Sequence, residues 1–162
     1  MIFGKKRHLL EAGAKAADFR LQRLAGGEVA FGEITSQGPA LLAFFKVNCP
    51  VCQLTFPYLE RIHSPERLPI YGISQNGPED TGDFRRAYGV TFPILLDSEA
   101  SDFPVSNAFG ISIVPTLFVV ERDGTVSRVI EGWRKSEIQE LGELAGVNPF
   151  RAGESVPEAK AG

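Results

Sequence analysis

Apolar and polar positions alternate along the chain in patterns that predict a series of strands. The continuous apolar run at residues 40–45 is typical of a strand buried on both faces of a sheet. Residues 18–24 alternate apolar with polar, and the turn residues 25–27 separate them from an apolar segment at 28–31, which predicts an N-terminal β-hairpin. Further strands are predicted over residues 68–74, 92–97, 116–120 and 126–130.

Helical spacing follows the first buried strand. Pro50 suits a first helical turn, where the missing N–H of proline would have no partner in any case. Apolar side chains then recur at Phe56, Leu59 and Ile62, and a Ser-Pro pair at 64–65 ends the pattern. Further helices are predicted over residues 78–88, 103–109 and 136–145.

The order of these elements predicts an α/β fold. Parallel strands joined by crossover helices come first, and Asp123-Gly124 marks the turn of an antiparallel hairpin near the C-terminus. This order predicts a mixed central sheet flanked by helices, with the N-terminal β-hairpin as an extension. The chain divides into an arm at 1–16, one domain at 17–150 and a tail at 151–162, whose composition predicts disorder.

Composition and charge exclude several function classes. The net charge of −3 offers no basic face, and the one dense basic cluster, Lys5 to His8, is interpreted as solvated charge beside the terminus, so nucleic acid is not an expected partner. No run approaches the roughly 18 apolar residues of a membrane span. Leu9-Leu10 is too short for the apolar core of a signal peptide, so a cytoplasmic location is expected for the chain as given. The alternative is an exported protein whose signal peptide has been removed. We also expect a monomer.

The chain contains two cysteines, Cys49 and Cys52, three positions apart. The stabilisation by a disulfide grows with the length of the loop it closes, so a bridge between these two cysteines would constrain almost nothing and points to chemistry instead. Cys49 falls at the predicted helix N-terminus, where free N–H groups and the helix dipole favour a thiolate. We therefore assign Cys49 as the attacking thiol and Cys52 as the resolving thiol.

Two alternatives compete with redox chemistry. A zinc site needs four ligands, and the two histidines, His8 and His63, lack the spacing of a zinc finger. Two inert buried cysteines are the other alternative. We expect no metal and no cofactor beyond a redox-active disulfide between Cys49 and Cys52.

Several motifs carry a family resemblance. They are residues 44–52 with a proline five positions after Cys52, residues 88–97, the segment Ile113–Val119 with its Val-Pro-Thr, and Asp123-Gly124. Together they resemble the thioredoxin superfamily, in the redoxin branch of TlpA/ResA-like thiol–disulfide oxidoreductases, from about residue 17 to 145. The resemblance implies a thioredoxin fold and exchange of disulfides with protein thiols and disulfides.

The same resemblance implies a substrate-binding surface. In this family the proline of the Val-Pro-Thr segment is cis and lies against the disulfide, which assigns that place to Pro115. Val114 would then present its backbone to an extended partner segment, beside Pro50 and Val51 between the cysteines. The alternative is a proline that merely begins a strand.

The chain departs from the family pattern where protons are handled. Asn48 stands in the usual tryptophan position, and Ala43 in the position of the buried acid of thioredoxin. Asn76 aligns near a carboxylate that some ResA-like proteins carry after the next strand, and Glu79 or Asp80 could substitute for it.

Two rival functions remain at this stage. A peroxiredoxin-like thiol peroxidase would carry a P-x-x-x-[ST]-x-x-C signature, but counting back from Cys52 places Phe45 and Cys49 in its Pro and Ser/Thr positions. Counting back from Cys49 places Leu42 and Lys46 there. The second rival is a non-catalytic binding module on the same scaffold, which the intact cysteine pair disfavours.

Overall fold

The computed structural model describes residues 8–162, so Lys5, Lys6 and Arg7 of the basic cluster lie outside the described residues. The strands are β1 (Arg20–Arg23), β2 (Glu28–Ala30), β3 (Ala40–Phe45), β4 (Ile70–Ser74), β5 (Ile94–Leu96), β6 (Thr116–Val120), β7 (Val126–Glu131), β8 (Trp133–Arg134) and β9 (Ala159–Lys160). The helices are α1 (Phe31–Ile34), α2 (Pro50–Ile62), α3 (Pro78–Tyr88), α4 (Pro104–Phe109) and α5 (Lys135–Ala145). None of the described helices has the length and apolarity needed to cross a membrane.

Seven strands form one mixed sheet in the order β2-β1-β5-β4-β3-β6-β7. Strands β3, β4 and β5 are parallel, whereas β6 runs antiparallel to β3 and β7 antiparallel to β6. The N-terminal hairpin β1–β2 extends the sheet by antiparallel pairing of β1 with β5. The predicted α/β fold, with its parallel unit, C-terminal hairpin and N-terminal extension, is confirmed.

Strand β3 lies at the centre of the sheet and is buried on both faces. Ala43 and Phe45 point into a core cluster that includes residues of α2 and α5, whereas Leu42 and Phe44 point into a second cluster on the opposite face. All six residues of β3 have no exposed surface. The loop that leads to Cys49 therefore begins at the end of a strand that is fully buried on both faces.

The structure differs from the sequence prediction at Phe31, which begins the short helix α1 instead of ending a strand. The side chain of Glu33 accepts a hydrogen bond from the backbone N–H of Ala30 at 3.1 Å and turns the chain into the helix. Phe31 then stacks on Phe19, with ring centroids 4.9 Å apart. A local side-chain cap thus overrides the apolar alternation.

The described part of the N-terminal arm, residues 8–16, packs along the domain. The backbone N–H of Leu10 donates to the carbonyl of Phe109 at 3.0 Å, and that of Gly13 donates to Val126 at 2.8 Å. Leu9 and Leu10 pack against the second core cluster. These residues form part of the folded unit.

The predicted disorder of residues 151–162 is contradicted by the structure. Residues of β9 pair antiparallel with β8, and the indole N–H of Trp133 donates to the carbonyl of Pro157 at 2.6 Å. Trp133 itself is fully buried. The tail folds back across the domain.

An ion pair explains why residues 151–162 are held against the domain although their composition predicts disorder. Arg61 on α2 forms a bidentate ion pair with Glu154, with N–O distances of 2.7 and 2.8 Å. The hydrogen bond from Arg61, aided by the backbone N–H of Arg151, lowers the pKa of the Glu154 carboxyl to about 2. A segment with few apolar residues can thus be held by charge-assisted hydrogen bonds to a partner 93 positions away in the sequence.

Candidate active site

Cys49 occupies the N-cap of α2, where the chain leaves β3 and enters the helix. Its backbone is extended, with φ of −92° and ψ of 113°, and Pro50 takes the first helical position. The carbonyl of Cys49 accepts the N–H of Gln53 at 3.0 Å, which is the first bond of the helix. The predicted position of the thiol at a helix N-terminus is confirmed by this geometry.

The sulfur of Cys49 lies between two backbone groups. The N–H of Cys52 donates to Cys49 Sγ at 3.1 Å, and the Cys49 thiol donates to the carbonyl oxygen of Val114 at 3.4 Å. Both cysteines are free thiols, so this is the dithiol form. The N–H of Cys52 and the N-terminal end of α2 thus face the sulfur that the sequence analysis assigns as the attacking atom.

Cys52 lies one helical turn further in and has no exposed surface, whereas Cys49 is half-buried. Burial raises the pKa of the Cys52 thiol well above its ordinary range, and a side-chain hydrogen bond with Cys49 raises it further. Cys52 is therefore a protonated, inaccessible thiol in this form. A partner disulfide can reach Cys49 first.

Two side chains that sequence reasoning did not assign hold the loop ahead of the cysteines. Asn76 accepts the N–H of Val47 through its side-chain oxygen at 2.9 Å, and the Gln53 side chain donates to the carbonyl of Val47 at 3.0 Å. Asn76 follows the end of β4, which is parallel to β3, so the two loops meet at one edge of the sheet. The sequence offered one indication of this contact, since the loops that follow two neighbouring parallel strands lie next to each other. Asn76 acts here as a positioning residue, near the place where the resemblance to ResA-like proteins implied a carboxylate.

The Val114–Pro115 segment lies beside the cysteines, as the resemblance implies. The peptide bond between the two residues is cis. The carbonyl of Pro115 accepts the N–H of Gly132 at 2.8 Å, and the hydroxyl of Thr116 donates to the carbonyl of Ile113 at 2.9 Å. These bonds hold Val114 half-buried against Cys49.

The remaining predicted site residues are placed on or near α2. Pro50 is exposed and Val51 is half-buried, and both lie in the first helical turn directly after Cys49. Ala43 is buried inside β3, and Glu79 and Asp80 lie in the first turn of α3. Among residues 8–162, no three His, Cys, Asp or Glu side chains are grouped so that they could hold a metal ion.

The difference in burial predicts the order in which the thiols react. Limited alkylation of the reduced protein near neutral pH should label Cys49 first, because Cys52 is fully buried and its raised pKa keeps it protonated. Labelling of Cys52 should require unfolding. Peptide mass spectrometry after short exposure to iodoacetamide measures the order, with denatured protein as the control. Earlier labelling of Cys52 would reverse the assignment.

The family profile described as AhpC/TSA matches residues 12–129. The chain belongs to the AhpC/TSA family. The matched span contains both cysteines and the Val114–Pro115 segment, which are the residues that the geometry brings together.

Individual proteins are similar to the chain in sequence or in fold. The thiol-disulfide oxidoreductase ResA of Halalkalibacterium halodurans is 29% identical over 147 residues, covering 88% of this chain and 81% of the relative. The thioredoxin domain of a thiol-disulfide oxidoreductase from Bacteroides vulgatus superposes with a TM-score of 0.73 at 20% identity, covering 83% of this chain and 96% of that domain. Peroxidoxin BcpB from Mycobacterium tuberculosis superposes with a TM-score of 0.71 at 21% identity, covering 86% and 97%. The fold is the thioredoxin fold.

Proposed function

We propose that the protein is a thiol–disulfide oxidoreductase that exchanges disulfides with partner proteins through Cys49 and Cys52. The observation that carries the proposal is the asymmetry of the pair: Cys49 is half-buried at a helix N-terminus, with the Cys52 N–H 3.1 Å from its sulfur, and Cys52 is fully buried behind it. The curated relatives named thiol-disulfide oxidoreductase ResA support the same activity.

The reaction proceeds in two exchanges. The Cys49 thiolate attacks one sulfur of a partner disulfide, so that a mixed disulfide forms and one partner thiolate leaves. Cys52 then loses its proton and attacks the Cys49 sulfur, which releases the second partner thiolate. The partner gains two electrons, and the two protein sulfurs end as a disulfide. The reverse sequence oxidises a partner dithiol.

Docking of the partner involves the backbone beside the sulfur. The Val114 carbonyl lies 3.4 Å from Cys49 Sγ, so an extended partner chain that pairs with Val114 brings its own cysteine next to the attacking atom. Pro50 and Val51 follow Cys49 in the first helical turn, and we assign them to the same partner-binding surface. This surface suits polypeptide partners, whose backbone can make the same bonds.

The test compares two substrates with dithiothreitol as the electron donor. The purified protein should accelerate the reduction of insulin disulfides above the rate of dithiothreitol alone, and should consume hydrogen peroxide no faster than dithiothreitol alone. Protein alkylated at Cys49 is the matched control and should be inactive in both assays. Rapid peroxide turnover without insulin reduction would favour a thiol peroxidase, and inactivity toward both would favour a binding module.

A further inference from the structure

The last residues of the chain lie along the surface to which the proposed function assigns partner docking. Strand β9 pairs with β8, with Lys160 opposite Trp133 and Ala159 opposite Arg134. The backbone N–H of Lys135 donates to the carbonyl of Glu158 at 2.9 Å. The segment is thus an added strand, which is the geometry that an extended peptide ligand adopts on a sheet edge.

Two glycines show how closely this segment approaches the site. A Cβ on Gly162 would lie 2.5 Å from the carbonyl oxygen of Val114 and 3.3 Å from Cδ1 of Ile113. A Cβ on Gly132 would overlap the carbonyl oxygen of Lys160, and the φ of Gly132 is +72°. Backbone therefore lies directly on backbone at both places, with no room for a side chain.

The covered backbone is the one beside the reactive sulfur. The carbonyl of Val114 that Gly162 approaches is the acceptor of the Cys49 thiol, 3.4 Å away. Gly132, under Lys160, donates its N–H to Pro115 at 2.8 Å and so belongs to the same surface. We call Val114, Gly132 and Trp133 the docking edge.

We propose that residues 159–162 occupy the docking edge in cis and compete there with the extended segment of a partner protein. The inference rests on the proposed function, which places partner docking at Val114. The tail also indicates the chemistry of a fitting partner: an extended segment with small side chains, as in Ala159-Lys160-Ala161-Gly162. The backbone of such a segment can approach Gly132 as closely as the backbone of the tail does.

The contacts of the tail suit a competitor that can be displaced. Residues 159–162 are all exposed, and their ladder with β8 is two residues long. The firmer attachments lie earlier, where Glu154 pairs with Arg61 and Pro157 accepts the Trp133 indole N–H. The last four residues can therefore leave the docking edge while the rest of the tail stays anchored.

A truncation after Glu158 tests the proposal. It removes four exposed residues and retains both anchors, and an unchanged midpoint of thermal unfolding verifies the fold. Gly162→Val is a second variant in the full chain, because the added side chain cannot fit against the Val114 carbonyl. Glu158→Gln is the matched control, since it changes an exposed ion pair with Lys135 and touches neither Val114 nor Gly132.

The readout is the rate at which reduced protein reacts with two disulfides. Insulin offers backbone that can pair with the docking edge, and hydroxyethyl disulfide does not. Truncation should raise the rate with insulin by about three- to tenfold, because the fraction of protein molecules with an uncovered docking edge increases. The rate with hydroxyethyl disulfide should be unchanged. Gly162→Val should change the insulin rate in the same direction, and Glu158→Gln should match the parent protein.

Three outcomes would overturn the proposal. An unchanged or lower insulin rate in both variants would show that the tail does not compete. An equal increase with both disulfides would show that the tail shields the sulfur rather than the docking edge. If the parent protein reacts with neither disulfide, the proposed function itself fails, which the first two outcomes do not imply.

Discussion

Replacement of Cys49 by serine is expected to reduce insulin reduction to the rate of dithiothreitol alone, whereas Cys52→Ser should stop the reaction after its first step. A serine at position 49 offers no sulfur to form the mixed disulfide. A serine at position 52 leaves the half-buried Cys49 able to attack, but nothing behind it can release the partner. The two variants should therefore fail in different ways.

Mass spectrometry of each pre-reduced variant, mixed with insulin in the absence of dithiothreitol, separates these two failures. The Cys52→Ser protein should accumulate as a covalent adduct with the substrate through Cys49, and dithiothreitol should release it. The Cys49→Ser protein should form no adduct, because Cys52 has no exposed surface. The parent protein is the control and should show no lasting adduct. An adduct on Cys49→Ser, or full turnover by Cys52→Ser, would contradict the assigned roles.

Phe56→Ala is expected to lower the free energy of unfolding by about 3–5 kcal/mol. Phe56 has no exposed surface and lies on α2 among three other phenylalanines: Phe45 at 4.3 Å, Phe84 at 5.4 Å and Phe92 at 5.7 Å between ring centroids. Truncation would leave a cavity between the sheet and the helix that carries both cysteines, because surrounding aromatic rings relax only in part.

Denaturant unfolding of the reduced protein measures the loss. Leu144→Ala on α5 is the matched control, because Leu144 is 51% exposed and an exposed substitution changes stability by about 0.5 kcal/mol or less. A change for Phe56→Ala no larger than that of Leu144→Ala would show that α2 is not held by this cluster.

The local pattern of apolar and polar residues was sufficient to predict most of the fold. The apolar run of β3 predicted the central strand, and Pro50 after Cys49 predicted a helix beginning at the cysteine pair. These predictions succeed because burial on both faces and the missing N–H of proline are local properties. The place of Val114 beside the cysteines came from family resemblance, because no local pattern relates positions 65 residues apart.

The sequence by itself determined the order of the central strands and their helices and the position of the reactive thiol. The tertiary structure alone decided what surrounds that thiol. Asn76 and Gln53 hold Val47 because loops after two parallel strands meet at one edge. The tail lies on the docking edge because Arg61 and Trp133 offer it hydrogen-bond donors at places far away in the chain. The composition of a segment shows how much apolar surface the segment can bury. It does not show which hydrogen-bonding groups elsewhere in the chain can bind the segment.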